Sequence, residues 1–258
     1  MPRVSPEAGA PCWIDLATTN LDTARAFYGE LFGWTFDDSG EEFGHYNLAF
    51  LDGQPVAGVM TKTDPAMPDS WTTYLAVDDA EAAGAAITAA GGQIVVPAMV
   101  VGPRGSMLCA VDPAGAFVGA WQAGDFTGFT VLAEPGTPAW FETLTRDYPA
   151  SVAFYQQAFG WQTTTMSDTD ELRYTTLGKD ETARAGIMDA SGFLPEGVPS
   201  LWQVYVAVAD TDAVVARLLE LGGSVTQPAA DTPYGRLAMV ADPTGAPFAV
   251  MGPNLASQ

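Results

Sequence analysis

Ala24-Arg25-Ala26-Phe27-Tyr28-Gly29-Glu30-Leu31-Phe32-Gly33-Trp34 returns 127 residues later as Ser151-Val152-Ala153-Phe154-Tyr155-Gln156-Gln157-Ala158-Phe159-Gly160-Trp161. The alignment runs without a gap from Trp13 to Trp34 and from Trp140 to Trp161. Further landmarks recur at offsets of 128 (Gly58-Val59-Met60 on Gly186-Ile187-Met188), 131 (Tyr74 on Tyr205, Gly91-Gly92 on Gly222-Gly223) and 130 (Asp112-Pro113 on Asp242-Pro243). Two copies of one unit therefore make up nearly all of the 258 residues, and loop insertions account for the drift.

Each copy divides again. A short strand at 13–17 precedes Asn20-Leu21-Asp22, and then Ala24, Phe27, Tyr28, Leu31 and Phe32 take the spacing of an apolar helical face ended by Gly33. Strands are expected at 34–37, 46–51 and 56–61, parted by glycine and acidic turn residues. The second half repeats the order with a strand at 72–77, Asp78-Asp79 as a helix start, an alanine-rich helix to Gly91-Gly92, and strands at 93–96, 106–111 and 117–121. The second copy follows at 140–144, 151–159, 201–208, 213–221, 237–241 and 248–251. The pattern predicts an α+β fold of four βαβββ modules. Residues 1–122 and 139–258 form the expected domains, joined by a glycine- and proline-rich linker at 123–138 with one extended piece at 129–133. Phe27, Tyr28, Phe32 and Trp34, with Phe154, Tyr155, Phe159 and Trp161, are assigned to packing of helix on sheet.

Ten Lys and Arg stand against 31 Asp and Glu, a net charge of −21. Such a field repels phosphate backbones and anionic headgroups, which argues against nucleic acid and membrane surfaces as partners. It favours solubility and draws in cationic small molecules. Cys12 and Cys109 have no repeat partners and resemble neither a disulfide framework nor a thiolate metal site. The first ten residues lack the apolar core of a signal peptide, and no segment approaches membrane-spanning length, so a soluble cytoplasmic protein is expected. Monomer and homodimer both remain open.

The doubled βαβββ pattern, the segment 24–34 and the Asp-Pro-Ala-Gly (112–115) and Asp-Pro-Thr-Gly (242–245) turns before final strands resemble the glyoxalase/bleomycin-resistance/extradiol-dioxygenase superfamily, also called vicinal oxygen chelate. The Trp-Ile-Asp-Leu opening and the near-symmetric doubling are similar to actinobacterial two-domain glyoxalase-like proteins, some of which accompany antibiotic gene clusters. The resemblance implies two cup-shaped domains, with helices outside mostly antiparallel sheets and the ligand inside.

Members of that superfamily typically hold a divalent metal by His or Glu on three strands. Carried over by spacing, those positions are Trp13 and Trp140, then Thr72 and Gln203, then Gly119 and Ala249. These residues cannot rebuild a site of imidazoles and carboxylates, and the only histidine, His45, reads as a surface or hydrogen-bonded residue. No metal and no cofactor is expected. Strand alternation places neighbours two apart on one face. The candidate ligand-binding residues are therefore Trp13 and Asp15 with Trp140 and Glu142 on the opening strands. Tyr74, with Gln203 and Tyr205, follows on the second-module strands, and Phe117 and Trp121 on a last strand. Tyr46, Met60 and Met188 complete the walls. Small residues at Gly119 and Ala249 are expected to leave room. The loops at 102–105 and 232–235 read as turns or as covers of the cup.

An aromatic, apolar surface with one carboxylate per copy suits a planar or hydrophobic small molecule held by stacking. The first functional reading is a metal-free binding module for such a molecule, a natural product or antibiotic, in resistance, carriage or biosynthesis. The second is a metal-independent enzyme of isomerase, lyase or hydration type, with Asp15 or Glu142 as general base and Tyr74 or Tyr205 as acid. A purely structural or secreted interaction protein is the third.

Overall fold

Four helices begin at short polar side chains that accept from their own first turn, and these caps set where each module passes from strand to helix. In the computed structural model, which describes residues 6–255, Asn20 accepts from the Thr23 N–H at 3.0 Å to start α1 (Leu21–Phe32). Asp79 does the same for α2 (Ala80–Ala89), Asp147 for α3 (Tyr148–Phe159) and Asp210 for α4 (Thr211–Glu220). α1 and α3 stop at Gly33 and Gly160, whose φ of 76° and 69° suits glycine. The first five residues, half of the stretch read above for a signal peptide, lie outside the described residues. None of the described helices is long and apolar enough to cross a membrane.

Each helix follows one strand and precedes three, so the four βαβββ modules are observed. The first contains β1 (Pro11–Thr18), β2 (Thr35–Asp38), β3 (Asn47–Leu51) and β4 (Gln54–Thr61), and the second β5 (Ser70–Ala76), β6 (Gln93–Val101), β7 (Gly105–Val111) and β8 (Phe117–Ala123). The third has β9 (Pro138–Thr145), β10 (Thr163–Asp168), β11 (Arg173–Leu177) and β12 (Ala185–Asp189). The fourth has β13 (Leu201–Ala207), β14 (Ser224–Thr232), β15 (Gly235–Ala241) and β16 (Pro247–Gly252). Two eight-stranded mixed sheets result, ordered β2-β3-β4-β1-β5-β8-β7-β6 and β10-β11-β12-β9-β13-β16-β15-β14. The first strand of each module runs parallel to its last, because the helix returns the chain across the sheet, and the hairpins are antiparallel.

Three expectations need correction. β6 runs five residues past its expected end and through Pro97, which an edge strand tolerates because one side needs no N–H donor; register shifts flank that stretch. α3 starts three residues early, since Asp147 caps it and Pro149 fits its first turn. The extended piece at 129–133 is not a strand: Ala133 has φ of 60°, and its N–H closes a turn on the Pro138 carbonyl.

Compactness groups the modules crosswise. One unit comprises Met1–Trp13, Thr72–Gly128 and Phe141–Gln203, and the other Ile14–Trp71, Phe129–Trp140 and Val204–Gln258. The repeated motifs supply the reason. In the first unit, the Tyr155 hydroxyl of α3 donates to Asp112 Oδ2 at 3.2 Å, while Asp112 Oδ1 accepts from the Ala114 and Ala116 N–H groups of its Asp-Pro turn. In the second, the Tyr28 hydroxyl of α1 donates to Asp242 Oδ2 at 3.1 Å over the equivalent turn. Each Phe-Tyr helix thus fastens a turn of a module from the other copy. The indoles of Trp161 and Trp34 complete the pattern by donating to the carbonyls of Gly9 and Gly136. All eight aromatic residues assigned to packing are buried.

The second unit also buries an ion pair. Lys62 Nζ lies 2.9 Å from Asp69 Oδ1, and Asp69 Oδ2 accepts from Thr18 Oγ1 and from both Thr19 donors. Burial alone would raise the Asp69 carboxyl, but Lys62 and the surrounding N–H and hydroxyl donors outweigh it and hold the group well below the usual carboxylate range.

Candidate ligand-binding site

In the first unit, three candidate aromatics gather on β1, β5 and β8. Trp13 is buried on β1, and Tyr74 on β5 lies opposite Gly119 of β8. A Cβ at Gly119 would overlap the Tyr74 ring, so the room expected there is taken by Tyr74. Trp121 is buried on β8, and its indole N–H donates to the Phe126 carbonyl at 2.9 Å. Phe126, from the segment that joins the copies, stands edge-on to both indoles, 4.8 Å from Trp13 and 6.1 Å from Trp121 between centroids. N–H groups of Gly124, Asp125 and Phe126 donate to the Pro103 and Arg104 carbonyls, which ties this strap to the 102–105 turn. Phe117 is half-buried at the start of β8, and Thr72 is buried on β5.

The same unit brings Glu142 to a phenol that the sequence reading did not name. The Tyr174 hydroxyl of β11 donates to Glu142 Oε2 at 2.8 Å, with both residues buried. Met188 pairs with Tyr174 in the β11–β12 register and is half-buried, and Gly186, beside Glu142, leaves the space in which the Tyr174 hydroxyl sits. Gln203 is buried on β13. Tyr174 was within reach of the repeat, since it stands 128 residues after Tyr46, the offset that relates Gly58 to Gly186. Phe126 carries no such signal, because no landmark of the second copy corresponds to it.

In the second unit, Asp15 is buried on β1 opposite Gly58 of β4, and the Tyr46 hydroxyl occupies the space over Gly58. Met60 and Trp140 are half-buried on β4 and β9. Tyr205 is buried on β13, in register with Ala249 of β16. The 232–235 loop is the β14–β15 hairpin turn, held by the Thr232 hydroxyl on the Gly235 carbonyl, and Tyr234 at its tip is exposed.

The donor set does not fit a divalent metal. Trp, Thr and Gly stand at three of the carried-over positions in the first unit, where imidazole or carboxylate would be required. Among the described residues, no three His, Cys, Asp or Glu side chains gather at one point. His45 is exposed, with Nδ1 2.8 Å from Asp38 Oδ2. Cys12 and Cys109 are buried and unbridged, and burial pushes the Cys12 thiol far up.

Comparison with known proteins agrees with this architecture. The profile of the Glyoxalase/Bleomycin resistance protein/Dioxygenase superfamily matches residues 12–118 and 137–250. CFP32 of Mycobacterium tuberculosis, provisionally named a glyoxylase, is 39% identical over 251 residues, 95% of each chain. The anthracycline biosynthesis protein DnrV of Streptomyces peucetius is 35% identical over 271 residues, covering 97% of this chain and 95% of its own. Among solved structures, the Mn(II)-bound glyoxalase from Novosphingobium aromaticivorans superposes with a TM-score of 0.64 at 14% identity, over 94% of this chain and 82% of that one, a likeness of fold alone.

Proposed function

Because the chain belongs to the Glyoxalase/Bleomycin resistance protein/Dioxygenase superfamily, we propose that it binds a hydrophobic or aromatic small molecule without a metal ion, as an accessory to natural-product biosynthesis, resistance or carriage. The observation that carries this reading is the residue set at the family's metal positions: Trp13, Thr72 and Gly119 offer ring surface and a hydroxyl where a cation would need imidazole or carboxylate. The indoles of Trp13 and Trp121, both against the Phe126 ring, and the buried Tyr74 ring supply aromatic groups of the kind that hold planar ligands. The likeness to DnrV, a protein of anthracycline biosynthesis, supports a fused-ring ligand. In this reading residues 1–122 and 139–258 serve as two family domains in a cytoplasmic protein, and the candidates of both units line the ligand sites.

The test is an equilibrium titration of the full chain with aromatic natural products, among them the anthracycline doxorubicin and its aglycone, followed by tryptophan fluorescence. Saturable binding with quenching is expected. Failure of every compound to saturate overturns the reading.

A second reading, catalysis without metal, draws on the buried contact between Glu142 and Tyr174. A carboxylate and a phenol in hydrogen-bond contact are equipped to pass a proton, with Glu142, or Asp15 in the other copy, as base. Under it, Glu142→Gln or Asp15→Asn abolishes turnover of a bound compound; unchanged turnover in both variants removes it.

A further inference from the structure

The Phe126 ring meets both Trp13 and Trp121, yet it comes from an irregular strap, residues 124–127, that follows β8 and pairs with no strand. Edge-on contact with two indoles is what a bound planar ring would make there, and here the chain makes it with its own side chain. The strap is fastened by backbone N–H groups on the Pro103 and Arg104 carbonyls and by the Trp121 indole on the Phe126 carbonyl. Gly124 and Asp125 are exposed, so water can take over those backbone bonds when the strap lifts. Glycine stands at either end. A Cβ at Gly124 would overlap the Pro103 carbonyl, and one at Gly128, where φ is 94°, would overlap the Cys12 carbonyl. Residues at the ends of a moving segment absorb its backbone rotation, and glycine does so at the least steric cost. A cavity of about 210 Å³ flanks the strap, lined by Trp121, Gln122, Ala123 and Thr127 and by Ala76 and Asp78. Trp121 therefore meets both the Phe126 ring and open space.

We propose that Phe126 is an internal plug of the first unit's aromatic site, and that the strap swings out for a planar ligand to take the place of its ring; this rests on the ligand-binding reading above and names how that site is regulated. A ring tethered beside the site competes at the high effective concentration that a short linker gives. A ligand then binds only those molecules whose strap is open, and its apparent affinity falls by the open fraction. An open population of about 10% or less, usual for a minor state, makes that reduction at least about tenfold. The flanking cavity gives the ligand a way to Trp121 as the ring withdraws.

The experiment titrates the full chain with doxorubicin, followed by tryptophan fluorescence, and compares wild type with Phe126→Ala and Gly124→Ala. A plug and a wall give opposite signs. Truncating a plug frees the site, so Phe126→Ala is expected to tighten binding at least about tenfold. A ring that only lined the site would be lost as a contact, and binding would weaken. Gly124→Ala keeps the ring but sets a Cβ against the Pro103 carbonyl and so lifts the strap. It is expected to tighten binding several-fold, and it serves if Phe126→Ala fails to fold by circular dichroism. A folded Phe126→Ala, or Gly124→Ala in its place, that binds doxorubicin no more tightly than wild type overturns the proposal while the ligand-binding reading stands. No saturable binding by wild type or by either variant overturns both.

Discussion

Tyr155→Phe removes one oxygen from a buried contact and little else, which makes it a clean probe of the crosswise fastening. That oxygen donates to Asp112 Oδ2 at 3.2 Å and accepts from Trp202 Nε1 at 2.9 Å. Loss of a buried hydrogen bond to a carboxylate costs about 1.5–3 kcal/mol, and leaving the Trp202 N–H without its acceptor costs about 1–3 kcal/mol more. Relaxation offsets part of the sum, so the expected loss is about 3–4 kcal/mol. Tyr28→Phe is the internal control. Its hydroxyl donates to Asp242 Oδ2 at 3.1 Å, and the Trp71 ring stands edge-on at 5.4 Å with its indole N–H near the same oxygen in a looser geometry than that of Trp202. One full bond and one looser contact are lost there, so the cost is at least about 1.5–3 kcal/mol and no greater than that of Tyr155→Phe. Urea unfolding followed by circular dichroism and tryptophan fluorescence measures both. The pH dependence adds a signature. Burial, the largest influence, raises the Asp112 carboxyl despite the donors around it. Its contribution to stability is therefore present below the ordinary carboxylate value and lost as pH rises through the raised value. Tyr155→Phe takes a donor from the ionised form and widens that window. A Tyr155→Phe variant within about 1 kcal/mol of wild type, well below the range for a buried charged bond, would refute the reasoning, as would a larger cost for Tyr28→Phe.

Two further perturbations follow from the same packing. Lys62→Met strips the buried partner of Asp69 and is expected to cost about 3–5 kcal/mol in urea unfolding. Because the Asp69 carboxyl is held low, its stabilisation is present above the ordinary carboxylate value and is lost as pH falls through the depressed one. The variant should lose much of that acid dependence, and an unaltered stability–pH curve speaks against the pair's role. Phe126→Ala removes the ring that stands edge-on to Trp13 and Trp121, so acrylamide quenching of tryptophan emission should rise with no change in far-ultraviolet dichroism. Unchanged quenching would show that the strap does not shield the two indoles.

The architecture was legible because it is written twice. Phe27-Tyr28 and Phe32-Gly33-Trp34 recur with their spacing intact, Gly33 ends its helix as read, and Asp79 caps the next one. Strand ends were less legible where edge position overrode local preference, as in β6, which passes through Pro97. The role of the Tyr28 and Tyr155 hydroxyls was hidden, since Asp242 lies 214 residues away and Asp112 lies 43 away in the other copy. Their rings read correctly as core, but an oxygen's partner is a tertiary fact. Glu142 was named as a candidate from strand alternation, and its hydrogen-bond partner Tyr174 was recoverable from Tyr46 by the repeat alone. Gly119 misled because smallness in a strand was taken for space offered to a ligand, whereas the Tyr74 ring already fills it. Phe126 lies in the joining segment, where no periodicity speaks.

The most direct test of metal-free recognition is the affinity of the full chain for doxorubicin, measured by tryptophan quenching before and after exhaustive chelation and again with manganese, zinc, nickel or iron restored. One dissociation constant throughout is the predicted result, because stacking against aromatic rings needs no cation. Binding that disappears on chelation and returns with one of these metals would contradict it.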